Sequence, residues 1–184
     1  MPGISGISKY LRMQDRVPLP GVQVSKYSEQ SRMNSPRLLL ADDHPLVIAG
    51  LRSVLEPGHE VAGIVDDGLA LVAAARRLNP DIIIADISMP HLNGIEAVRQ
   101  IRRFNSGVKI IFLTMHSEVT YAAEALSAGG SAYVLKISAG NEILEAIREV
   151  LNGRTYVTPS LGVAVVQSYK DWAAYSAPIV LGAS

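Results

Sequence analysis

The sequence predicts an α/β domain built as a doubly wound parallel sheet with helices on both faces. Three observations predict it. Five short apolar runs alternate with five segments of helical spacing between residues 37 and 151. That alternation marks βαβ units, whose right-handed crossovers make the strands parallel. Central runs such as Ile82-Ile83-Ile84 are continuously apolar, as strands covered on both faces are. Finally, polar residues capable of chemistry fall directly behind the apolar runs, where sheets of this kind place their ligands.

The elements follow in order. Residues 1–36 carry Pro18, Pro20 and scattered Ser and Gly with no sustained period, and read as a flexible extension. Met33, close before the first strand, is read as the functional start. Arg37–Ala41 is the first strand and ends in Asp42-Asp43. Pro45–Leu55 has apolar Val47, Leu51, Val54 and Leu55 at helical spacing, with Pro in its first turn, and Pro57-Gly58 stops it. Glu60–Val65 is the second strand, and residues 69–78 form an Ala-rich helix. Residues 81–85 are the third strand, 94–104 a helix, 109–113 the fourth strand, and 118–128 a helix stopped by Gly129-Gly130. Residues 131–135 are the fifth strand, and 141–151 an amphipathic helix closed by Gly153. The domain is expected to span residues 37–158. Residues 159–184 are left as a tail, with room for one helix through about Tyr175, packed on the domain or on a second copy.

Composition narrows the function. Of 184 residues, 48% are hydrophobic and 18% charged, which supports a sizeable core and excludes global disorder. The 17 basic and 17 acidic side chains balance, which argues against a basic nucleic-acid surface. The balance is uneven along the chain: residues 1–36 hold five basic against two acidic groups, residues 37–160 hold 11 against 14, and residues 161–184 hold only Lys170 and Asp171. Without cysteine there is no disulfide framework, Cys-zinc site or thiol catalysis. The apolar runs are too short for a membrane-spanning helix, and no signal-peptide stretch opens the chain. The cytoplasm is the expected location.

In a doubly wound sheet the residues behind strands 1, 3, 4 and 5 converge on one edge. Those residues are Asp42 and Asp43, Asp86, Thr114 and Lys136. Each has an ordinary alternative: the Asp pair could favour the following helix N-terminus, Asp86 could open a turn, Thr114 could cap a helix, and Lys136 could be solvated. Together they form a chemical unit. Three carboxylates in one cleft repel, and a divalent cation relieves the repulsion. Hard oxygen ligands without Cys or His favour Mg2+. A metal, a lysine and a threonine hydroxyl suit a phosphoryl group, and a carboxylate there can accept it. The four histidines, His44, His59, His91 and His116, lack metal spacing and read as surface or loop residues.

The segments Leu38-Leu39-Leu40-Ala41-Asp42-Asp43-His44-Pro45, Asp81-Ile82-Ile83-Ile84-Ala85-Asp86-Ile87-Ser88-Met89-Pro90, Asn93-Gly94, Leu113-Thr114-Met115-His116 and Ala132-Tyr133-Val134-Leu135-Lys136 resemble the receiver domain of bacterial two-component response regulators. The wording is most similar to the LuxR/NarL/FixJ-type subfamily, whose receivers are normally followed by a helix-turn-helix domain. The resemblance covers about two thirds of the chain. It implies a flavodoxin-like fold with five parallel strands in the order 2-1-3-4-5. It also implies that Asp86 accepts a phosphoryl group from a sensor histidine kinase, with Mg2+ held by Asp42, Asp43, Asp86 and the backbone carbonyl of Ser88. Lys136 would contact the phosphoryl group, Thr114 would move toward it, and Tyr133 would turn inward behind Thr114. The chain departs from the family pattern where Ile137 follows Lys136, where Ser138 and Gly140 give the next helix an irregular start, and, in a minor way, at Gly130-Ser131-Ala132 before Tyr133.

The expected output is a changed surface on the fourth helix, fifth strand and fifth helix, including Tyr121 and the outer face of residues 142–148, with a homodimer through that face as one use. Only 24 residues follow Ser160, too few for a helix-turn-helix module, and they hold no basic cluster. Direct DNA binding by this chain is therefore unsupported. A DNA-binding regulator lacking its output domain is the alternative. A turnover enzyme is not expected: an aspartate-nucleophile phosphatase wants a second Asp where Ser88 stands, and a flavin or nucleotide binder wants a Gly/Ser/Thr-rich loop where Asp42-Asp43-His44-Pro45 stands.

Overall fold

The structure is a computed structural model and describes residues 35–162 and the backbone of 179–181. The elements are β1 (Arg37–Ala41), α1 (Pro45–Leu55), β2 (Glu60–Val65), α2 (Gly68–Leu78), β3 (Ile82–Ala85), α3 (Gly94–Arg102), β4 (Lys109–Thr114), α4 (Val119–Ser127), β5 (Ala132–Leu135), α5 (Ala139–Leu151), β6 (Thr155–Val157) and β7 (Ile179–Leu181). They form one sheet in the order β2-β1-β3-β4-β5-β6-β7, every pair parallel.

Strand alternation sorts the side chains onto two cores. Leu38, Leu40, Ile82, Ile84, Ile111 and Val134 face α1 and α5. Leu39, Ile83, Ile110, Phe112 and Tyr133 face α2, α3 and α4. Both faces of β1, β3, β4 and β5 are therefore dry, which is why these strands read as unbroken apolar runs.

Local signals fix the helix starts. Pro45 opens α1. Asp67 accepts the Ala70 N–H at 2.7 Å to cap α2, and Asn93 accepts the Glu96 N–H at 2.9 Å to cap α3. Gly94 is held against the end of β3: a Cβ there would lie 2.1 Å from the Asp86 carbonyl oxygen. Only glycine lets α3 start this close to the strand end that carries Asp86.

The expected strand order stands within the sheet, but the count of five is corrected to seven. β6 lies on the outer edge of β5, where Tyr156 N–H donates to Ser131 O at 3.2 Å, and β7 pairs with β6. Thr155, Tyr156 and Val157 are all buried. Three residues are too few to show a periodic pattern; their strand identity comes from the unpaired edge of β5, whose backbone groups need partners. Residues 159–162 are helical, and the rest of the expected helix through Tyr175 lies outside the described residues, as do residues 1–34 of the N-terminal extension. Among the described residues no helix is long and apolar enough to cross a membrane.

Candidate functional site

The carboxyl ends of β1, β3, β4 and β5 bring the predicted side chains together. Asp42 and Asp86 are buried, at 4% and 3% exposure, in the cleft beyond their strands. Lys136, directly after β5, reaches back so that its Nζ lies 2.7 Å from Asp86 Oδ2 and 2.8 Å from Asp42 Oδ2. Its side chain is 7% exposed, so the solvated alternative fails. Burial pulls the Lys136 ammonium toward neutrality, but Asp42 and Asp86 together outweigh it and hold its pKa above the ordinary value. The backbone positions the lysine: Lys136 N–H donates to Thr114 O at 2.8 Å, tying β5 to the end of β4.

Asp43 is the exposed carboxylate of the set. Oxygens of Asp42, Asp43 and Asp86 and a ring nitrogen of His44 all lie within 4.8 Å of one another. Three carboxylates on rigid strand ends, open to solvent on the Asp43 side, are a donor set that fits a hard divalent cation. His44 is an exposed loop residue, as read from the sequence, and it also leans on the acid pair. Its Nδ1 is 2.9 Å from Asp43 Oδ1 and 3.1 Å from Asp42 Oδ1, while its N–H donates to Asp42 Oδ1 at 2.9 Å. Asp42 thus also shapes the turn into α1, as the ordinary alternative held.

Thr114 is fully buried at the end of β4, and its Oγ1 accepts the His116 N–H at 3.2 Å. It does not cap α4, whose N-cap is Glu118 without a side-chain bond. Tyr133 already points inward: it is fully buried, and its OH donates to His116 O at 2.8 Å. Burial, with Glu118 as the next contribution, pushes the phenol pKa well above its ordinary value, so it stays a donor. Ser88 is exposed; its N–H donates to Asp86 Oδ1 at 3.3 Å, and its Oγ is 2.8 Å from His116 Nε2. The His116 ring stacks on Tyr121 with centroids 4.2 Å apart. His116 therefore links the loops after β3 and β4, a role that spacing alone could not reveal because its partners are distant in sequence.

Ile137 is 88% exposed, and Ser138 Oγ donates to Leu135 O at 3.2 Å instead of capping α5. The irregular helix start leaves Lys136 in place.

Comparisons with known proteins identify the fold and the family. The response regulator receiver domain family matches residues 38–148. The response regulator UvrY of Escherichia coli strain K12 is 40% identical over 126 residues, which cover 67% of this chain and 58% of UvrY. A LuxR-family two-component response regulator from Aurantimonas sp. SI85-9A1 superposes with a TM-score of 0.69 at 34% identity, covering 74% of this chain and 99% of that one. The isolated receiver domain of RcsB from Salmonella enterica serovar Typhimurium, solved in the presence of the phosphomimetic BeF3−, gives a TM-score of 0.65 at 29% identity, covering 70% and 96%. The chain spans about three fifths of the length of the curated relatives it matches. With the family model matching residues 38–148 and UvrY 40% identical over 126 residues, the chain belongs to the response regulator receiver domain family.

Proposed function

We propose that this chain is a phosphorylation-dependent switch of a two-component system, and that Asp86 is its phosphoacceptor. The supporting observation is the placement of the Asp86 carboxylate: buried, paired to Lys136, and facing Asp42 and Asp43 at the open end of the sheet. A carboxylate oxygen of Asp86 attacks the phosphorus of a kinase phosphohistidine. The new P–O bond forms as the P–N bond breaks, and the imidazole nitrogen leaves with its electron pair. Asp42, Asp43, Asp86 and the Ser88 carbonyl would hold Mg2+, which supplies neutralisation of phosphoryl oxygens and alignment for in-line transfer. Lys136 supplies the second cation and shifts from the carboxylate to the phosphoryl oxygens. The Thr114 hydroxyl donates to the phosphoryl group, and Tyr133, inward already, keeps the β4–α4 loop drawn in through His116.

The readout is the population of the closed loop, biased by these added contacts. The α4, β5 and α5 surface, including Tyr121 and residues 142–148, is the proposed output and dimer face. β6 and β7 extend the sheet beyond β5, so this face uses the two helices and not a free β5 edge. The expected partner is a sensor histidine kinase in the cytoplasm, and the chemistry is a single self-modification, not turnover of a substrate.

The test is incubation with Mg2+ and acetyl phosphate, read by intact mass. One added phosphoryl group is expected on the wild type and none on Asp86→Ala. No adduct on folded wild type overturns the switch, and an unchanged adduct on Asp86→Ala overturns the site assignment.

A further inference from the structure

We propose that Thr158 is a positioning residue that ties the C-terminal segment to the switch strand, so that the state of Asp86 is read out in residues 155–162. This rests on the switch reading above. Thr158 is 3% exposed and follows β6 directly. Its N–H donates to Tyr133 O at 2.9 Å. Its Oγ1 accepts the Leu135 N–H at 3.0 Å and donates its own hydrogen to Glu142 Oε2 on α5 at 2.7 Å. One side chain therefore completes the outer edge of β5 and crosses to the first turns of α5.

The position of these bonds gives them their meaning. Leu135 is the residue before Lys136, and Tyr133 carries the phenol that holds the β4–α4 loop. The inner edge of the same strand end is fixed by the Lys136 N–H on Thr114 O. The strand end that carries Tyr133 and leads into Lys136 is thus held between two threonines, Thr114 at the site and Thr158 after β6. Beyond Thr158, residues 159–162 turn helically, with the Leu161 N–H on Thr158 O at 2.9 Å, and Leu161 packs in the core that contains Tyr133, Leu135 and Val157. A small shift of Lys136 toward a phosphoryl group pulls on Leu135, and the Leu135 N–H transmits it to Thr158. Packed cores pass on such shifts because they are close to incompressible.

A threonine hydroxyl suits this place. It must accept and donate at once, which valine cannot do and serine can. With valine, the buried Leu135 N–H loses its partner.

The test uses the full chain as wild type, Thr158→Val, Thr158→Ser and Glu142→Ala. Each is treated with Mg2+ and acetyl phosphate, scored for adduct by intact mass, and followed by hydrogen–deuterium exchange over residues 155–162. Phosphorylation is expected to change exchange there in the wild type and in Thr158→Ser. The change is expected to vanish in Thr158→Val while its adduct still forms, and to weaken in Glu142→Ala, which also serves if Thr158→Val does not fold. Full adduct with the wild-type exchange change retained in Thr158→Val, or in Glu142→Ala when Thr158→Val does not fold, overturns the coupling. So does adduct on the wild type with no exchange change. Absence of adduct on the wild type overturns the switch reading and the coupling with it, and is distinguished by the mass measurement.

Discussion

Lys136 Nζ lies 2.7 Å from Asp86 Oδ2, with both side chains almost wholly buried, and the same ammonium reaches Asp42 at 2.8 Å. One cation therefore keeps two buried carboxylates of the cluster from facing each other uncompensated. The pairing makes Lys136 both a structural counter-ion and the group closest to the proposed phosphoacceptor.

Replacing Lys136 by alanine is expected to destabilise the fold by about 1–3 kcal/mol, since it strands buried carboxylates, without unfolding it. Urea denaturation measures the loss. Phosphoryl-dependent exchange changes should weaken in the same variant. Unaltered stability would mean that the ion pair has no structural weight.

Divalent cation should stabilise the protein by binding only the folded acid cluster. At a hundredfold excess over its Kd, Mg2+ adds about 2.7 kcal/mol by linkage. Thermal denaturation with and without Mg2+ reads this as a rise in Tm, and Asp43→Asn should remove most of the rise. An equal rise in that variant places the cation elsewhere.

Gly94→Ala puts a methyl group 2.1 Å from the Asp86 carbonyl oxygen, so α3 or the end of β3 must move. A cost of about 1–3 kcal/mol follows, as for other overpacked sites. Because the clash falls on the Asp86 backbone, adduct formation should slow as well. Normal rate and stability together would show that the loop yields freely.

Tyr133→Phe removes the donor to His116 O but keeps the buried ring. The expected loss is about 0.5–1.5 kcal/mol. The adduct should still form, with faster exchange in the β4–α4 loop; an unchanged loop would detach Tyr133 from its control.

Glu149 is a buried carboxylate held by Arg154 Nε and by Arg154 Nη2 at 2.9 Å. Arg154 is the main reason its pKa sits below the ordinary 4.5, against burial, which raises it. A depressed carboxylate contributes stability that is present above 4.5 and lost as pH falls through the folded value. Glu149→Gln should therefore flatten the fall in stability below pH 4.5, as followed by urea midpoints across acid pH. Parallel curves for both proteins would remove this contribution.

Most of the site was legible because its residues sit at one repeated place, the end of a strand, and parallel topology brings those ends together. Asp42, Asp43, Asp86, Thr114 and Lys136 needed no contact information beyond that rule. The contacts of His116 and Thr158 were not legible. His116 meets Ser88 across 28 positions, and Thr158 meets Leu135 across 23, with no spacing rule linking them. Tyr133 entered through the family resemblance, and its inward rotamer depends on the neighbours that bury it.

The alternation of elements, the two-sided burial of the central strands and the acids at their ends are written in the chain's local pattern. These are consequences of local periodicity and of crossover handedness, and both are local properties of the chain. Packing in three dimensions made Lys136 a buried counter-ion, set β6 on the open edge of β5 and set β7 on β6. Those outcomes depend on which unpaired groups meet in space: a lysine is buried only where carboxylates await it, and three residues become a strand only where an open sheet edge offers them hydrogen bonds.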